Sequence, residues 1–146
     1  MTKTDFSKGI TASVTLRVPF HDVDPADVVW HGRYFKYFEE VRRTLLEDLD
    51  YSYASMMESG YVWPVVDTSV RFVRPLTLDQ TFVVTACIVE WELRLVVDYR
   101  IHSEDGVLHT RARTVQVPVD ANTRELLIGS PAVLIERIER RLACRS

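Results

Sequence analysis

The apolar positions between residues 34 and 49 recur at spacings of three and four, which predicts one long amphipathic helix. The apolar stripe consists of Tyr34, Phe38, Val41, Leu45 and Leu49, and it is widened by Phe35, Tyr37 and Leu46. Charged residues take the opposite side: Lys36, Glu40, Arg43 and Glu47. A stripe this wide indicates a helix held against a sheet rather than one lying on a surface.

Before and after this helix, apolar and polar residues alternate in the manner of β-strands. The first strand is predicted at 13–20, with one face formed by Val14, Leu16, Val18 and Phe20. A polar connection ends at Gly60, and further strands are predicted at about 61–74, 81–89, 91–102 and 108–119. The apolar segment 81–89 is typical of a central strand, and Glu104-Asp105-Gly106 of a hairpin turn.

The two ends of the chain carry weaker patterns. Residues 1–11 are polar and aperiodic, so we expect a loose tail there. Ser130 and Pro131 are expected to open a last helix as its cap and its first residue. The inward side chains of that helix would be Leu134, Ile135, Ile138 and Leu142.

One strand, a long helix and four antiparallel strands make an α+β fold, with residues 1–146 forming a single domain. One helix covers only one face of a sheet of about five strands. Because the other face and one edge need a further subunit, we expect a homodimer or a tetramer.

The composition is that of an ordinary globular protein, with 47% hydrophobic and 27% charged residues. A net charge of -3 gives no reason to expect a nucleic acid partner. The N-terminus lacks the apolar core of a signal peptide and no apolar run is long enough to span a membrane, so we expect a cytoplasmic protein. Cys87 and Cys144 lack a Cys-x-x-Cys spacing and are expected to be free thiols.

The loop between the first strand and the long helix concentrates groups that can do chemistry. Its carboxylates and imidazoles are those of His21, Asp22, Asp24, Asp27 and His31. The helix that follows His31 and Gly32 has first N–H groups without intrahelical partners, and no Ser, Thr, Asp or Asn stands there as a cap. These N–H groups form a candidate oxyanion site, unless water or Asp27 occupies them.

The pattern Asp24-Pro25-Ala26, then Val28-Val29-Trp30-His31, Tyr34 and Glu39, resembles the 4-hydroxybenzoyl-CoA thioesterase and YbgC-like acyl-CoA thioesterase family. Val70-Arg71-Phe72-Val73-Arg74-Pro75-Leu76 resembles its second strand, so the resemblance covers roughly residues 13–119. It implies a hotdog fold, in which an antiparallel sheet wraps one long helix and subunits pair into dimers and often tetramers. Two departures stand out, because Asp27 replaces the usual Gly and Asp79-Gln80 replaces the usual Gly-Asp.

The same resemblance implies roles for individual residues. Asp24 would attack the thioester carbonyl or activate the water that does, and the backbone N–H of His31 would stabilise the oxyanion. Against this, Asp24 could only cap the loop, and the His31 side chain could either orient the substrate or simply pack. Glu39, Gly32 and Tyr34 would have supporting roles, Glu39 as a hydrogen-bond acceptor.

Four arginines are candidates for binding the phosphates of coenzyme A, or are solvated residues of exposed strand faces: Arg71, Arg74, Arg111 and Arg113. His21, Asp22, Asp24 and His31 could also be metal ligands. No HxH or HExxH spacing supports that interpretation, so neither a metal nor another cofactor is predicted.

The predicted function is hydrolysis of an acyl-CoA or acyl carrier protein thioester to the free acid and the thiol. A catalytically silent dimer that binds acyl thioesters is one alternative. A hotdog dehydratase is another, but those enzymes place an Asp/Asn-Pro pair one residue before the catalytic His. Here five residues separate Pro25 from His31, which argues against hydration chemistry.

Overall fold

A computed structural model of the chain describes residues 5–7 and 9–144. Its strands are β1 (Ile10–Arg17), β2 (Tyr61–Val62), β3 (Val65–Phe72), β4 (Thr81–Glu90), β5 (Leu95–Ser103), β6 (Leu108–Gln116) and β7 (Val119–Asp120). Its helices are α1 (Tyr34–Asp48), α2 (Tyr53–Ser59) and α3 (Ala132–Ala143). Five strands form one antiparallel sheet in the order β1-β4-β5-β6-β3, and β2 pairs with β7. The predicted α+β architecture is confirmed.

Helix α1 lies against the sheet with the predicted stripe buried. Phe38, Val41 and Leu45 are at most 1% exposed, and the Phe38 ring contacts that of Tyr99 in β5 at 5.0 Å between centroids. Full burial of one such side chain stabilises the fold by about 1.5–3 kcal/mol, so this interface holds α1 in place. Phe35 departs from the prediction, since it is 46% exposed.

Strand β1 begins earlier than expected. Ile10 and Thr11, which the sequence pattern assigns to the tail, pair with Ile88 and Cys87 of β4. Residues 1–4 and residue 8 of that predicted tail lie outside the described residues. Phe20 was expected on the buried face of the first strand, and this is wrong. The strand ends at Arg17 and a 3-10 turn follows, so the alternation stops and Phe20 is 80% exposed.

The connection before Gly60 contains helix α2, which the sequence pattern did not predict. Ser52 caps it by accepting a hydrogen bond from the Ser55 N–H at 3.2 Å, and Gly60 ends it with a φ of +88°. A glycine in this left-handed conformation after the last turn is a common helix stop. These two end signals were visible in the sequence, but seven residues are too few to show helical periodicity.

The later part of the chain differs from expectation at two boundaries. β5 begins at Leu95 rather than at Trp91, because the chain bends between the two, while the hairpin turn at Gly106 is confirmed. Pro131 is the cap position of α3 and not its first residue, and the Ser130 hydroxyl donates to the Trp91 carbonyl instead of capping.

The apolar face of α3 is confirmed only at its centre. Leu134 and Ile138 are fully buried, Ile135 is half-buried, and Leu142 is 37% exposed because it lies in the last turn. Within the described part of the chain, no helix combines the length and apolarity needed to cross a membrane.

Strand β3 is the edge of the sheet, bonded to β6 on one side. Seven of its eight residues are exposed, including Val65, Val66 and Phe72. No other described strand pairs with its second side. An apolar strand edge of this kind is a template for pairing with another chain.

The core interface predicts a large stability cost for truncation of α1. Leu45→Ala should lower the free energy of unfolding by about 2–5 kcal/mol, because it removes a fully buried side chain and leaves a cavity. Chemical denaturation at equilibrium measures this. Glu47→Ala on the exposed side of the same helix is the control and should change stability by no more than about 0.5 kcal/mol. Equal effects of the two variants would contradict the described burial of α1.

Candidate active site

The loop after β1 folds back on itself as a tight hairpin. Val23 and Val29 form a bridge at its base, and the Asp24 N–H donates to the Val28 carbonyl at 2.9 Å. The Asp24 carboxylate accepts the Ala26 N–H at 2.8 Å through Oδ1, which is the capping role considered from the sequence. Because Oδ2 has no partner among the described residues, capping leaves Asp24 one oxygen for other chemistry.

Asp27 and Asp79 occupy the two positions where the resembled family usually has glycine. Their φ angles are +62° and +64°, in the left-handed region. Glycine enters this region without steric cost, and aspartate is among the few other residues that do so regularly. The two departures therefore keep the backbone conformation that a glycine would favour.

The turn that leads into α1 follows this loop directly. A 3-10 turn, His31–Arg33, precedes the helix, and no side chain among the described residues caps either element. The Trp30 N–H donates to the Asp22 carbonyl at 3.0 Å, and the Arg33 N–H to the Trp30 carbonyl at 2.9 Å. The N–H groups of His31 and Gly32 lie between these two bonds, at the end of the helix where such groups lack helical partners.

A cavity of about 290 Å³ lies between the loop and the end of β3. Its lining residues are Asp24, Val28, Val29, His31, Tyr34, Phe72, Val73, Arg74 and Pro75. The structure thus brings together four residues that the sequence singled out as site residues: Asp24, His31, Tyr34 and Arg74.

Tyr34 fixes one wall of this cavity. Its hydroxyl accepts the Leu76 N–H at 3.2 Å, so the first residue of α1 is bonded to the segment that follows β3. Burial raises the pKa of Tyr34 above its ordinary value of 10.0. The phenol therefore stays neutral, and its role here is to position the backbone.

Gly32 is required by a close approach of Trp30. A Cβ at position 32 would lie 2.3 Å from Trp30 Cζ3, far inside van der Waals contact. The indole also contacts the His31 ring, with 4.9 Å between centroids. The absence of a side chain at Gly32 therefore leaves room for the Trp30 indole against the turn that precedes α1.

Glu39 lies outside the cavity lining and bonds to other partners. It accepts a 2.6 Å hydrogen bond from the Tyr53 hydroxyl and forms an ion pair with Arg42, which is 6% exposed. Arg42 Nη1 also donates to the Tyr99 hydroxyl at 3.3 Å. Burial alone would lower the pKa of Arg42, but Tyr99, Tyr53 and Glu39 outweigh it and the pKa is raised. Glu39 is thus an acceptor for the contact between α1 and α2.

Three of the four predicted arginines lie on the sheet face turned away from α1. Arg111 and Arg113 alternate in β6 with residues of the α1 face, and Arg71 stands directly opposite Arg111. Arg113 is engaged by Asp98, with Nε–Oδ1 at 2.5 Å and Nη2–Oδ2 at 3.0 Å. Only Arg74 of the four lines the cavity.

Asp22 has more partners in this region than its place in the sequence indicates. It is fully buried, accepts the Tyr37 hydroxyl at 2.6 Å, and lies 2.9 Å from Lys36 Nζ. Burial would raise the pKa of Asp22, but hydrogen bonds from Tyr37 and Lys36 and the nearby cations hold it below the ordinary value of 3.8. The carboxylate is therefore charged at neutral pH.

The four residues considered as metal ligands do not converge. His21 Nε2 lies 3.7 Å from Asp22 Oδ1, whereas Asp24 and His31 line the cavity. Across residues 5–7 and 9–144, no group of three or more His, Cys, Asp or Glu side chains is arranged to hold a metal ion.

Comparison with known proteins identifies the family. The sequence profile of the thioesterase-like superfamily matches residues 18–140. The chain belongs to this superfamily.

Two relatives of this thioesterase-like chain are bacterial. The Bacillus subtilis (strain 168) protein YneP, a candidate acyl-CoA thioesterase, is 29% identical over 106 residues, which cover 72% of this chain and 77% of YneP. A candidate esterase of Synechocystis sp. is 30% identical over 132 residues, which cover 86% of this chain and 76% of the relative.

Solved structures agree with the family. The DHNA-CoA thioesterase from Staphylococcus aureus superposes with a TM-score of 0.75 at 25% identity, covering 81% of the thioesterase-like chain and 80% of the other. A 1,4-dihydroxy-2-naphthoyl-CoA thioesterase from Synechocystis superposes with a TM-score of 0.78 at 24% identity. The match covers 88% of this chain and 95% of the other. The predicted hotdog fold and the predicted enzyme class, a thioester hydrolase, are confirmed.

The lowered pKa of Asp22 predicts how its contribution to stability depends on pH. Stabilisation by a carboxylate whose folded pKa is depressed is fully present above its unfolded pKa and is lost as pH falls through the folded pKa. Asp22→Asn should therefore lower the free energy of unfolding by about 1–3 kcal/mol at pH 7, and the difference from wild type should shrink between about pH 5 and pH 2.

Urea denaturation of both proteins across this pH range is the measurement. Asp48→Asn, which removes an exposed carboxylate of α1, controls for the loss of one charge. A difference between wild type and Asp22→Asn that stays constant from pH 7 to pH 2 would show that the Asp22 charge does not stabilise the fold.

Proposed function

We propose that the protein hydrolyses an acyl-CoA thioester to the free acid and coenzyme A, with Asp24 and the backbone N–H of His31 at the reacting carbonyl. The observation that carries this proposal is the cavity in which the Asp24 carboxylate and the uncapped turn at His31 come together. The names of YneP and of the superposed DHNA-CoA thioesterase support acyl-CoA as the substrate class. An acyl carrier protein thioester is a second form of the same substrate.

Asp24 can act in two ways. As a nucleophile, its free oxygen attacks the thioester carbon, the C–S bond breaks, the thiolate leaves, and water then hydrolyses the mixed anhydride. As a general base, Asp24 takes a proton from water, the hydroxide attacks the carbonyl carbon, and the proton passes to the departing thiolate. Both routes place negative charge on the carbonyl oxygen. A backbone N–H aimed at that oxygen is typically worth about 2.7–4 kcal/mol.

The four arginines remain our candidates for binding the phosphates of coenzyme A. Arg74 lines the cavity and holds itself in place by donating Nη1 to the Leu108 carbonyl at 3.0 Å. Arg71 and Arg111 put two adjacent positive charges on the far face of β3 and β6. The guanidinium of Arg113 shares its donors with Asp98, so we expect it to contribute least.

Asp24→Asn should remove most of the turnover while leaving binding nearly intact. Asparagine keeps the shape and the loop hydrogen bond but offers neither a nucleophilic carboxylate nor a base. We expect kcat to fall about 10²- to 10⁴-fold with little change in KM, measured as thiol release from a panel of acyl-CoAs. Asp27→Asn makes the same change in an exposed residue of the same loop and should keep wild-type kcat.

A loss below about tenfold in the Asp24 variant would reject the assignment. A wild type that binds the acyl-CoA panel without releasing thiol would instead support the silent binding protein. Single turnover in ¹⁸O-labelled water can establish the nucleophilic route on an active wild type. Label in the Asp24 carboxylate establishes the anhydride route, whereas label confined to the product acid fits both the general-base route and attack of water at the acyl carbon of the anhydride.

We also propose that the active form is a homodimer or a tetramer built on the free edge of β3. Phe72, at the end of this strand, lines the cavity and is 49% exposed, so a second copy paired along β3 would close the site. The exposed Val66 lies on the same edge strand and offers apolar surface to the partner.

Light scattering at low micromolar concentration should therefore show at least a dimer. Val66→Lys places a charge on the edge strand and should shift the protein towards monomer with loss of turnover. Leu126→Lys is the matched control, because Leu126 is 63% exposed against 58% for Val66 but lies outside β3. A monomeric wild type with full activity would overturn the assembly.

A further inference from the structure

The Asp22 carboxylate connects the loop after β1, which carries Asp24, to the first turns of α1. Its Oδ2 accepts the Tyr37 hydroxyl at 2.6 Å, and Lys36 Nζ lies within 3.0 Å of both carboxylate oxygens. Arg33 Nε and His21 Nε2 approach Oδ1 to 3.8 and 3.7 Å. Asp22 is fully buried, whereas the side chains of Lys36, Arg33 and His21 are partly exposed, so the carboxylate lies beneath basic side chains that include two permanent cations, Lys36 and Arg33.

The main chain of the same residue forms the base of the loop. The Asp22 carbonyl accepts the Trp30 N–H at 3.0 Å, and the Asp22 N–H donates to the Pro19 carbonyl at 3.1 Å. The next residue, Val23, begins the hairpin that carries Asp24. Residue 22 is therefore bonded through its side chain to α1 and through its backbone to the residue that precedes His31.

We infer that Asp22 is a positioning residue of the thioesterase site: its buried carboxylate fixes the loop to α1, and so sets where Asp24 stands relative to the His31 N–H. This inference rests on the proposed function. Asp24 lies two residues after Asp22 and His31 one residue after Trp30, so a shift at Asp22 moves both groups. Reacting groups must be held close to their productive geometry, and a displacement of about 1 Å can cost roughly 10² in rate.

A buried charge is an expensive way to hold two segments together if stability is the only requirement. Well-packed apolar residues often stabilise as much or more than a buried ion pair, because desolvation opposes the attraction. Unlike apolar packing, the bonds to Asp22 are directional. Tyr37 and Lys36, consecutive residues of α1, donate to the Asp22 carboxylate and so fix its orientation relative to the helix.

Tyr37→Phe tests this with the least disturbance, since it removes one hydrogen bond to Asp22 and alters no residue of the loop itself. Tyr51→Phe is the matched control. Tyr51 is a fully buried tyrosine whose hydroxyl accepts the Trp63 indole N–H at 3.2 Å, outside the cavity lining. Asp22→Asn is the second variant, which keeps the shape of the side chain and removes its charge.

For each variant, kcat and KM for acyl-CoA and the melting temperature are measured. We expect Tyr37→Phe and Asp22→Asn to lower kcat by about ten- to a hundredfold with KM within about twofold of wild type. Tyr51→Phe should lose comparable thermal stability and keep its kcat. Wild-type kcat in folded Tyr37→Phe, or equal kcat losses in Tyr37→Phe and Tyr51→Phe, would overturn the inference. Tyr37→Phe decides the question if Asp22→Asn does not fold.

Amide hydrogen exchange at Trp30 gives a readout that does not need activity. Because the Trp30 N–H is bonded to the Asp22 carbonyl, its exchange should accelerate in Tyr37→Phe and stay at the wild-type rate in Tyr51→Phe. If the wild type hydrolyses no acyl thioester, the proposed function is overturned and the positioning role is not. If the exchange rate of the Trp30 N–H is unchanged in both tyrosine variants, the positioning role is overturned, whatever the activity.

Discussion

The burial of α1 against the sheet is the interaction on which the site depends. Phe38, Val41 and Leu45 fix the helix along its length, and this fixes the position of its first turn. Two further bonds then tie separate segments to that end: the Tyr34 hydroxyl accepts the Leu76 N–H, and the Val29 N–H donates to the Leu76 carbonyl. The cavity is therefore assembled from the loop after β1, the start of α1 and the segment after β3.

Two buried charges interrupt the apolar contacts of this helix with its surroundings. Asp22 meets the first turns of α1, and Arg42 lies in the middle of the helix, where it pairs with Glu39 and Tyr99. The pKa of Asp22 is lowered and that of Arg42 is raised, so both stay ionised despite burial. Each charge lies where segments distant in sequence meet. Hydrogen bonds and ion pairs are directional, so they can fix the relative position of two segments more narrowly than apolar packing does.

Periodicity in the sequence predicted the elements that bury a full face. The stripe of α1 and the apolar run of β4 were evident, whereas the seven residues of α2 were not, because so short a helix shows no period. Asp24 and His31 were grouped correctly because one short loop carries both. The sequence did not show that the candidate arginines lie in two separate places. Strand alternation puts Arg111 and Arg113 on the face opposite α1, whereas Arg74 lies beyond the end of β3.

The two buried charges differ in how far the sequence could predict them. Arg42 stands four residues after Phe38 and three before Leu45, inside the apolar stripe, so the helical period did hint at its burial. Nothing similar marked Asp22. Its partners lie 14 and 15 residues away across a loop, and only the folded path of that loop brings them together.

The packing of Trp30 against Gly32 places an exposed fluorescent side chain next to the candidate site. This indole is 50% exposed and contacts the His31 ring, whereas Trp63 is 7% exposed and bonded to Tyr51. The emission of an exposed indole responds to solvent polarity and to soluble quenchers, and that of a buried one is shielded from both. Trp91 is half-buried, so fluorescence that iodide can quench arises most from Trp30, next to the backbone where the thioester carbonyl is proposed to bind.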